Sequence, residues 1–282
     1  MIGFGPADPR YPRRLLDLRC PPDPLWLEGD REALTGRAVS IVGTRRMTPY
    51  GARVARELAA ACAEAGIVVV SGLAQGIDSA AHDGALGAGG KTVAVLGAGI
   101  ASYLAEARGR RRTLAHAIRT GGALISEFPP DAPPQIWTFA QRDATIAALG
   151  ELTVVVEAPI DSGALITADE ARKLRRPVYA VPGPIGVAAS AGANALIASG
   201  KADALTGTPM LLEALGAPAP VATEHRDEVA MRVLDALAAA PVDPDALARR
   251  LGMSGPALAT AIARLLIRGD IATGADGRLV RR

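Results

Sequence analysis

Residues 38–46 read Ala38-Val39-Ser40-Ile41-Val42-Gly43-Thr44-Arg45-Arg46, and residues 67–78 read Ile67-Val68-Val69-Val70-Ser71-Gly72-Leu73-Ala74-Gln75-Gly76-Ile77-Asp78. In each, a short β-branched apolar run stops at a glycine turn. A strand that is apolar throughout has both faces covered, the condition of a parallel sheet between helices. The same rhythm predicts strands at Ala38–Val42, Ile67–Val70, Thr92–Leu96, Ala123–Ile125, Leu152–Val156 and Pro177–Val181. Between the first two, Val54, Leu58, Cys62 and Ala65 recur at helical spacing and stop at Gly66, so one stripe of that helix faces the sheet. The expected fold class is α/β, a doubly wound and mostly parallel sheet.

Outward from this sheet the pattern changes twice. Residues 1–36 are proline-rich and irregular, and they are expected to form an extension without a fold of its own, docked through Pro12, Leu15, Leu25, Trp26 and Leu27. The sheet domain covers 37–215. Glycine, proline and alanine concentrate at Gly216–Thr223, which sets a linker over 216–225. Residues 226–282 then read as helices at Asp227–Ala239, Asp243–Leu251 and Ser254–Arg268, followed by two short strands around Asp276-Gly277. That order is a winged helix-turn-helix.

The chain has 282 residues, 49% hydrophobic and 21% charged, which excludes a disordered tail or a fibre. Its net charge of +2 gives no bulk attraction to a polyanion, so any such site must be a local patch. Of the basic residues, 28 are Arg and 3 are Lys, a skew that looks like coding bias. Cys20 and Cys62 build neither a disulfide framework nor a metal knot, and a reducing cytoplasm fits them best. Met1–Pro12 lacks the pattern of a secretory signal. The weakly polar stretch Thr92–Leu104 is too short to span a bilayer, so no membrane role is expected.

In open parallel sheets, ligands bind outside the carboxyl ends of the strands. Here those ends carry Gly43-Thr44-Arg45-Arg46, Ser71-Gly72-Leu73-Ala74-Gln75-Gly76 and Gly97-Ala98-Gly99. Small residues let backbone N–H groups approach a phosphate, and Arg45 adds a planar guanidinium suited to bidentate phosphate contact. Dinucleotide and nucleotide fingerprints fail. Gly97-Ala98-Gly99 lacks the third glycine, and Gly90-Lys91-Thr92 has Ala85 where a phosphate loop needs glycine and opens a strand instead of a helix. His82, His116 and His225 have no metal-ligand spacing, and Ser71 and Ser162 lack that of a nucleophile elbow. Neither cofactor, metal nor catalytic residue is expected. Asp78, Glu127, Glu157 and Asp161 follow strands, where carboxylates either line one cleft or, the reading favoured here, cap helices and accept from backbone amides.

Taken in order, the blocks resemble the DprA/Smf family of bacterial DNA-processing proteins. The resemblance rests on Ser40-Ile41-Val42-Gly43-Thr44-Arg45 with Tyr50-Gly51, on Val70–His82 and on Thr92–Ile100. Further blocks are Ser126–Pro130, Val155–Ala158, Ser162–Ala168, Tyr179–Gly183 and Gly192–Ile197. It implies an extended Rossmann-like domain that binds single-stranded DNA, forms a homodimer and helps load RecA recombinase during natural transformation. The family's Gly-x-Arg turn falls on Gly43, Thr44 and Arg45, with neighbouring contacts at Ser71, Gly72 and Gly97. Its Phe-x-x-Arg-Asn-Arg block falls on Phe139 to Ala144, where Phe139 would stack on a base and Arg142 would hold a phosphate.

Three departures from the family pattern stand out. Asp143 and Ala144 replace Asn and Arg, which lowers the positive charge along that path. After Gly99 the family's Tyr-Pro segment becomes Tyr103-Leu104-Ala105-Glu106, leading into Arg108, Arg110, Arg111 and Arg112. Those arginines are either restored phosphate contacts or a solvated helix face. The helical module that many members carry before the sheet domain is largely missing. In the tail, the recognition helix begins Ser254-Gly255-Pro256-Ala257-Leu258, without long polar readers, which favours a protein-contact or auxiliary DNA role. An alternative is a nucleotide phosphoribohydrolase on a related scaffold, but Asp161–Glu170 lacks that group's glycine run.

Overall fold

The computed structural model describes residues 1–217, 228–238, 241–274 and 277–281. In chain order the first unit contains β1 (Ile2–Phe4), β2 (Leu25–Gly29), β3 (Ala38–Val42), α1 (Pro49–Glu64), β4 (Val68–Ser71), α2 (Ile77–Gly87) and β5 (Thr92–Leu96). There follow α3 (Ile100–Glu106), α4 (Gly109–Gly121), β6 (Gly122–Ser126), α5 (Ile136–Leu149), β7 (Thr153–Val155) and α6 (Ala164–Lys173). It ends with β8 (Val178–Ala180), α7 (Ala188–Ala198), β9 (Asp203–Ala204) and α8 (Thr208–Ala214). Nine strands make one sheet in the order β1-β2-β6-β5-β4-β3-β7-β8-β9.

The strands from β3 to β9 are all parallel, with Ser40 of β3 opposite both Val70 of β4 and Thr153 of β7. The chain runs outward from β3 to β4, β5 and β6, then returns to β3's other side with β7. The switch point of the doubly wound sheet therefore lies between β3 and β7. Each of β3 to β7 is buried at every position, because apolar clusters cover both sheet faces.

The six strands read from the sequence are present, with ends shifted by at most two residues. Residues 1–36 differ from the expectation of an irregular extension. They supply β1 and β2, which continue the sheet antiparallel from the β6 edge through Trp26 opposite Ser126 and Leu27 opposite Ile125. Leu15, Leu25 and Leu27 are buried in the same core cluster as β6. These two strands are brief and bracketed by prolines, so their pairing is decided by the open edge they cover rather than by local propensity. β9 also escaped the sequence reading, being two residues long.

Helix α1 starts where Thr48 accepts a hydrogen bond from the Gly51 N–H at 3.2 Å, with Pro49 in its first turn. Its buried stripe is Ala55, Leu58, Ala59 and Cys62. Val54 is only half-buried and Ala65 is exposed at the helix end, so the stripe sits slightly round from the expected one.

The second unit, by itself, contains α9 (Glu228–Leu237), α10 (Pro244–Leu251), α11 (Gly255–Arg268) and the antiparallel pair β10 (Ile271–Thr273) and β11 (Leu279–Arg281). This is the expected winged helix, built on its own core of Val233, Leu237, Leu247, Leu258, Leu265, Ile271 and Leu279. Asp243 caps α10 by accepting from Asp245 and Ala246, and Gly252 ends it in the left-handed conformation at φ +63°. Most of the expected linker, His225, Asp276 and the side chains of Pro256 and Ala257 lie outside the described residues. Among the described residues, no helix is long and apolar enough to cross a membrane.

Candidate functional site

A cavity of about 550 Å³ opens at the switch point. Its walls are the Gly43–Arg46 turn after β3, the Pro159–Ala164 segment after β7, and one side of α5 carrying Phe139, Arg142 and Asp143. A second cavity of about 330 Å³ shares Arg45, Ala74, Phe139 and Arg142 with the first and reaches the turns after β4 and β5.

Helix α5 crosses these strand ends because polar groups tether it there. Thr138 Oγ1 donates to the Gly97 carbonyl, and one turn later Arg142 Nη1 donates to the carbonyls of Gly72 and, at 3.1 Å, Val95. Glycine is required at both anchor points. A Cβ on Gly72 would stand 2.6 Å from the Arg142 guanidinium, and one on Gly97 would stand 2.7 Å from the Phe139 ring. The third turn is fixed from the other side. Glu157 is buried; its carboxylate accepts from Thr48 N at 2.9 Å and Thr48 Oγ1 at 2.6 Å, while its carbonyl accepts from Thr44 N at 2.6 Å.

Part of the expected phosphate cradle of backbone amides is turned inward. Asp78, only 4% exposed, accepts hydrogen bonds from the N–H groups of Ala74, Gly72 and Gly43. The chain thus supplies its own acceptor to these three amides. Burial pushes the Asp78 carboxyl up, while Arg142 and those three amides act the other way.

This changes the roles assigned from sequence. Ser71 is fully buried and donates its hydroxyl to the Ile41 carbonyl at 2.6 Å, so it makes no outward contact. Thr44 is 6% exposed, and its Oγ1 accepts from Arg46 N at 3.2 Å. Arg142, expected on a phosphate, is 7% exposed and is bound to backbone carbonyls beside Asp143, with Nε 3.5 Å from the carboxylate. Gly43, Gly72 and Gly97 serve close packing. Of the eight predicted residues, Arg45 and Phe139 face outward with their side chains available. The Arg45 guanidinium lies 5.6 Å and that of Arg142 5.5 Å from the Phe139 ring centroid.

Asp143 is likewise buried, not a surface charge on the path. Burial pushes its carboxyl up to about 7, opposed by Arg142 and Arg45 and reinforced by Asp78. Arg46, which the sequence reading passed over, is exposed and lines the larger cavity. Of the arginine run, Arg110 pairs with Asp83 and Arg108 donates to the carbonyls of Ala105 and Ala107, whereas Arg111 lines the smaller cavity. His82 is a core residue, its Nδ1 2.7 Å from Thr92 Oγ1 and its imidazole pushed down to about 3, first by burial and then by Arg142.

A doubly wound sheet with an arginine-rimmed cleft at its switch point, carried on one chain with a winged helix, defines a Rossmann-like class of two-unit proteins. Within that class the chain belongs to the DprA/Smf family of DNA-processing proteins: residues 4–216 match the family model of DNA recombination-mediator protein A, and residues 217–277 match that of the DprA winged helix domain. Protein Smf of Escherichia coli is 41% identical over 196 residues, covering 69% of this chain and 52% of that protein. The chain spans about half the length of the curated relatives it matches in Escherichia coli, Synechocystis and Mycobacterium tuberculosis. The crystal structure of DprA from Streptococcus pneumoniae superposes with a TM-score of 0.70 at 34% identity, covering 75% of this chain and 73% of that one. A structure of Helicobacter pylori DprA, described for its single-stranded DNA binding mode, gives 0.67 at 27% identity and covers 76% and 94%.

Proposed function

We propose that this protein binds single-stranded DNA along the strand-end cleft without cleaving a bond, as a DNA-processing protein of the bacterial cytoplasm. The observation that carries the reading is Arg45: exposed, free of any ion pair among the described residues, and held over the half-buried Phe139 ring at the mouth of the larger cavity. With the amides of Gly43, Gly72 and Ala74 occupied by Asp78, phosphate contact falls to the guanidinium groups of Arg45 and Arg46, and base contact to Phe139. The reading extends to a homodimer that shields incoming or exposed single strands and helps load RecA recombinase in natural transformation or recombination. The Helicobacter pylori relative supports the ligand; the family membership supports the process.

The test is a salt titration of oligonucleotide binding by fluorescence anisotropy. Affinity for single strands should exceed that for duplex and fall with salt by about 0.7 log unit per log unit for each phosphate held. Arg45→Ala should weaken binding to every sequence by about tenfold and lower the salt slope by about one phosphate. Unchanged affinity in this variant would overturn the assignment.

A further inference from the structure

A third concavity, of about 180 Å³, lies outside the strand-end cleft, on a face of α4 turned away from its buried Leu114, Ala115 and Ile118. Leu104 of α3 is its apolar wall, and Arg112, His116 and Arg119, about one turn apart along α4, bring nitrogen donors to it. A guanidinium only donates, so the 2.9 Å contact of Arg119 Nη2 with His116 Nδ1 makes that ring nitrogen the acceptor and leaves the proton of the neutral imidazole on Nε2. Glu28 holds Arg119 at 2.8 Å, which fixes the pair in place. Arg112 is exposed and makes no ion pair among the described residues. No acidic residue stands on α4, and of the carboxylates that reach it, Asp83 and Glu28 are each engaged by one arginine. Cations are disfavoured by the helix dipole in the first turn, so Arg112 is not placed there to stabilise the helix.

The concavity continues the cleft. Tyr103 and Arg111, whose guanidinium lies 5.2 Å from the Tyr103 ring centroid, line the smaller cavity with Glu106, and the next residue of each, Leu104 and Arg112, lines this one. We propose that Arg112, His116 and Arg119 form a second phosphate-binding site, which holds the backbone of the same single strand after it leaves the strand-end cleft across the α3–α4 junction. Two guanidinium groups and an imidazole N–H around a shallow pocket suit a phosphodiester, which offers only acceptors and a negative charge. The inference rests on the single-strand reading of the cleft and makes the footprint longer than the cleft alone.

The experiment titrates all-thymidine strands of about 6 and about 20 nucleotides by fluorescence anisotropy, the shorter one filling the cleft alone. Combined Arg112→Ala and His116→Ala, both at exposed positions, should weaken the longer strand about tenfold and lower its salt slope by the equivalent of about one to two phosphates, while the shorter strand binds as it does to the native protein. Arg13→Ala, which removes an exposed charge elsewhere on the sheet unit, should change neither. Unchanged binding of the longer strand by the double variant, an equal loss on both strands, or the same loss in Arg13→Ala overturns the second site. So does binding of thymidine monophosphate that depends on Arg112 and His116 without any effect on the longer strand, the mark of a pocket for a free anion. If Arg45→Ala weakens both strands while the double variant weakens neither, the cleft reading stands without the second site. If the native protein binds neither strand, both fall.

Discussion

Asp143 shows how burial alters the meaning of a residue. In sequence it is a negative charge added to a DNA path; in the structure it is a buried neighbour of Arg142 and Asp78 that titrates near neutrality. Its folded pKa lies above its unfolded value. Its contribution to stability is therefore fully present below about pH 4 and is lost as pH rises through about 7. The same proton sets the charge of the cleft. Lowering pH from 8 to 6 should raise single-strand affinity several-fold as the carboxylate opposite Arg142 and Arg45 is neutralised. Asp143→Asn should bind across that range as the native protein does at pH 6, and should show a flatter dependence of urea-unfolding stability on pH. A native protein whose affinity is independent of pH would contradict this account.

Between elements, the determining contact is that of the turn before α2 with the turn after β3. Gly76 sits at φ +91°, where a side chain is strained, and a Cβ there would come within 2.2 Å of the Thr44 carbonyl and 2.8 Å of Arg45 Cα. The glycine thus allows the two turns to nest and places Arg45. Gly76→Ala should destabilise the protein by about 2 kcal/mol or more and weaken single-strand binding beyond what the loss of stability explains. Chemical denaturation together with anisotropy at a temperature where the variant remains folded would check both. The glycines of these turns were legible in the sequence as sharp turns, but the reason for each was not. They make room for Arg142, Phe139 and Ile77, and the amides of Gly43 and Gly72 point inward to Asp78.

At the scale of the molecule, residues 1–36 complete the sheet. Deleting them would uncover the β6 edge together with the apolar surface that Leu15, Leu25 and Leu27 cover. The shortened protein should elute as aggregates in size-exclusion chromatography and lose its cooperative melting transition; a monodisperse, cooperatively melting product would refute the assignment. The alternation of apolar strand runs with amphipathic helices was enough to set the α/β class, the parallel strands from β3 to β8 and the winged helix, because those patterns follow from local burial on two faces or one. The place of Arg45 at a glycine turn was equally local. What only tertiary structure decided was the antiparallel β1 and β2, the inward use of the turn amides by Asp78, the structural commitment of Ser71 and Arg142, and the cavity formed with Tyr103, Glu106 and Arg111. Each of these depends on partners distant in the chain, whose proximity comes from the folding of the sheet and is absent from residue spacing.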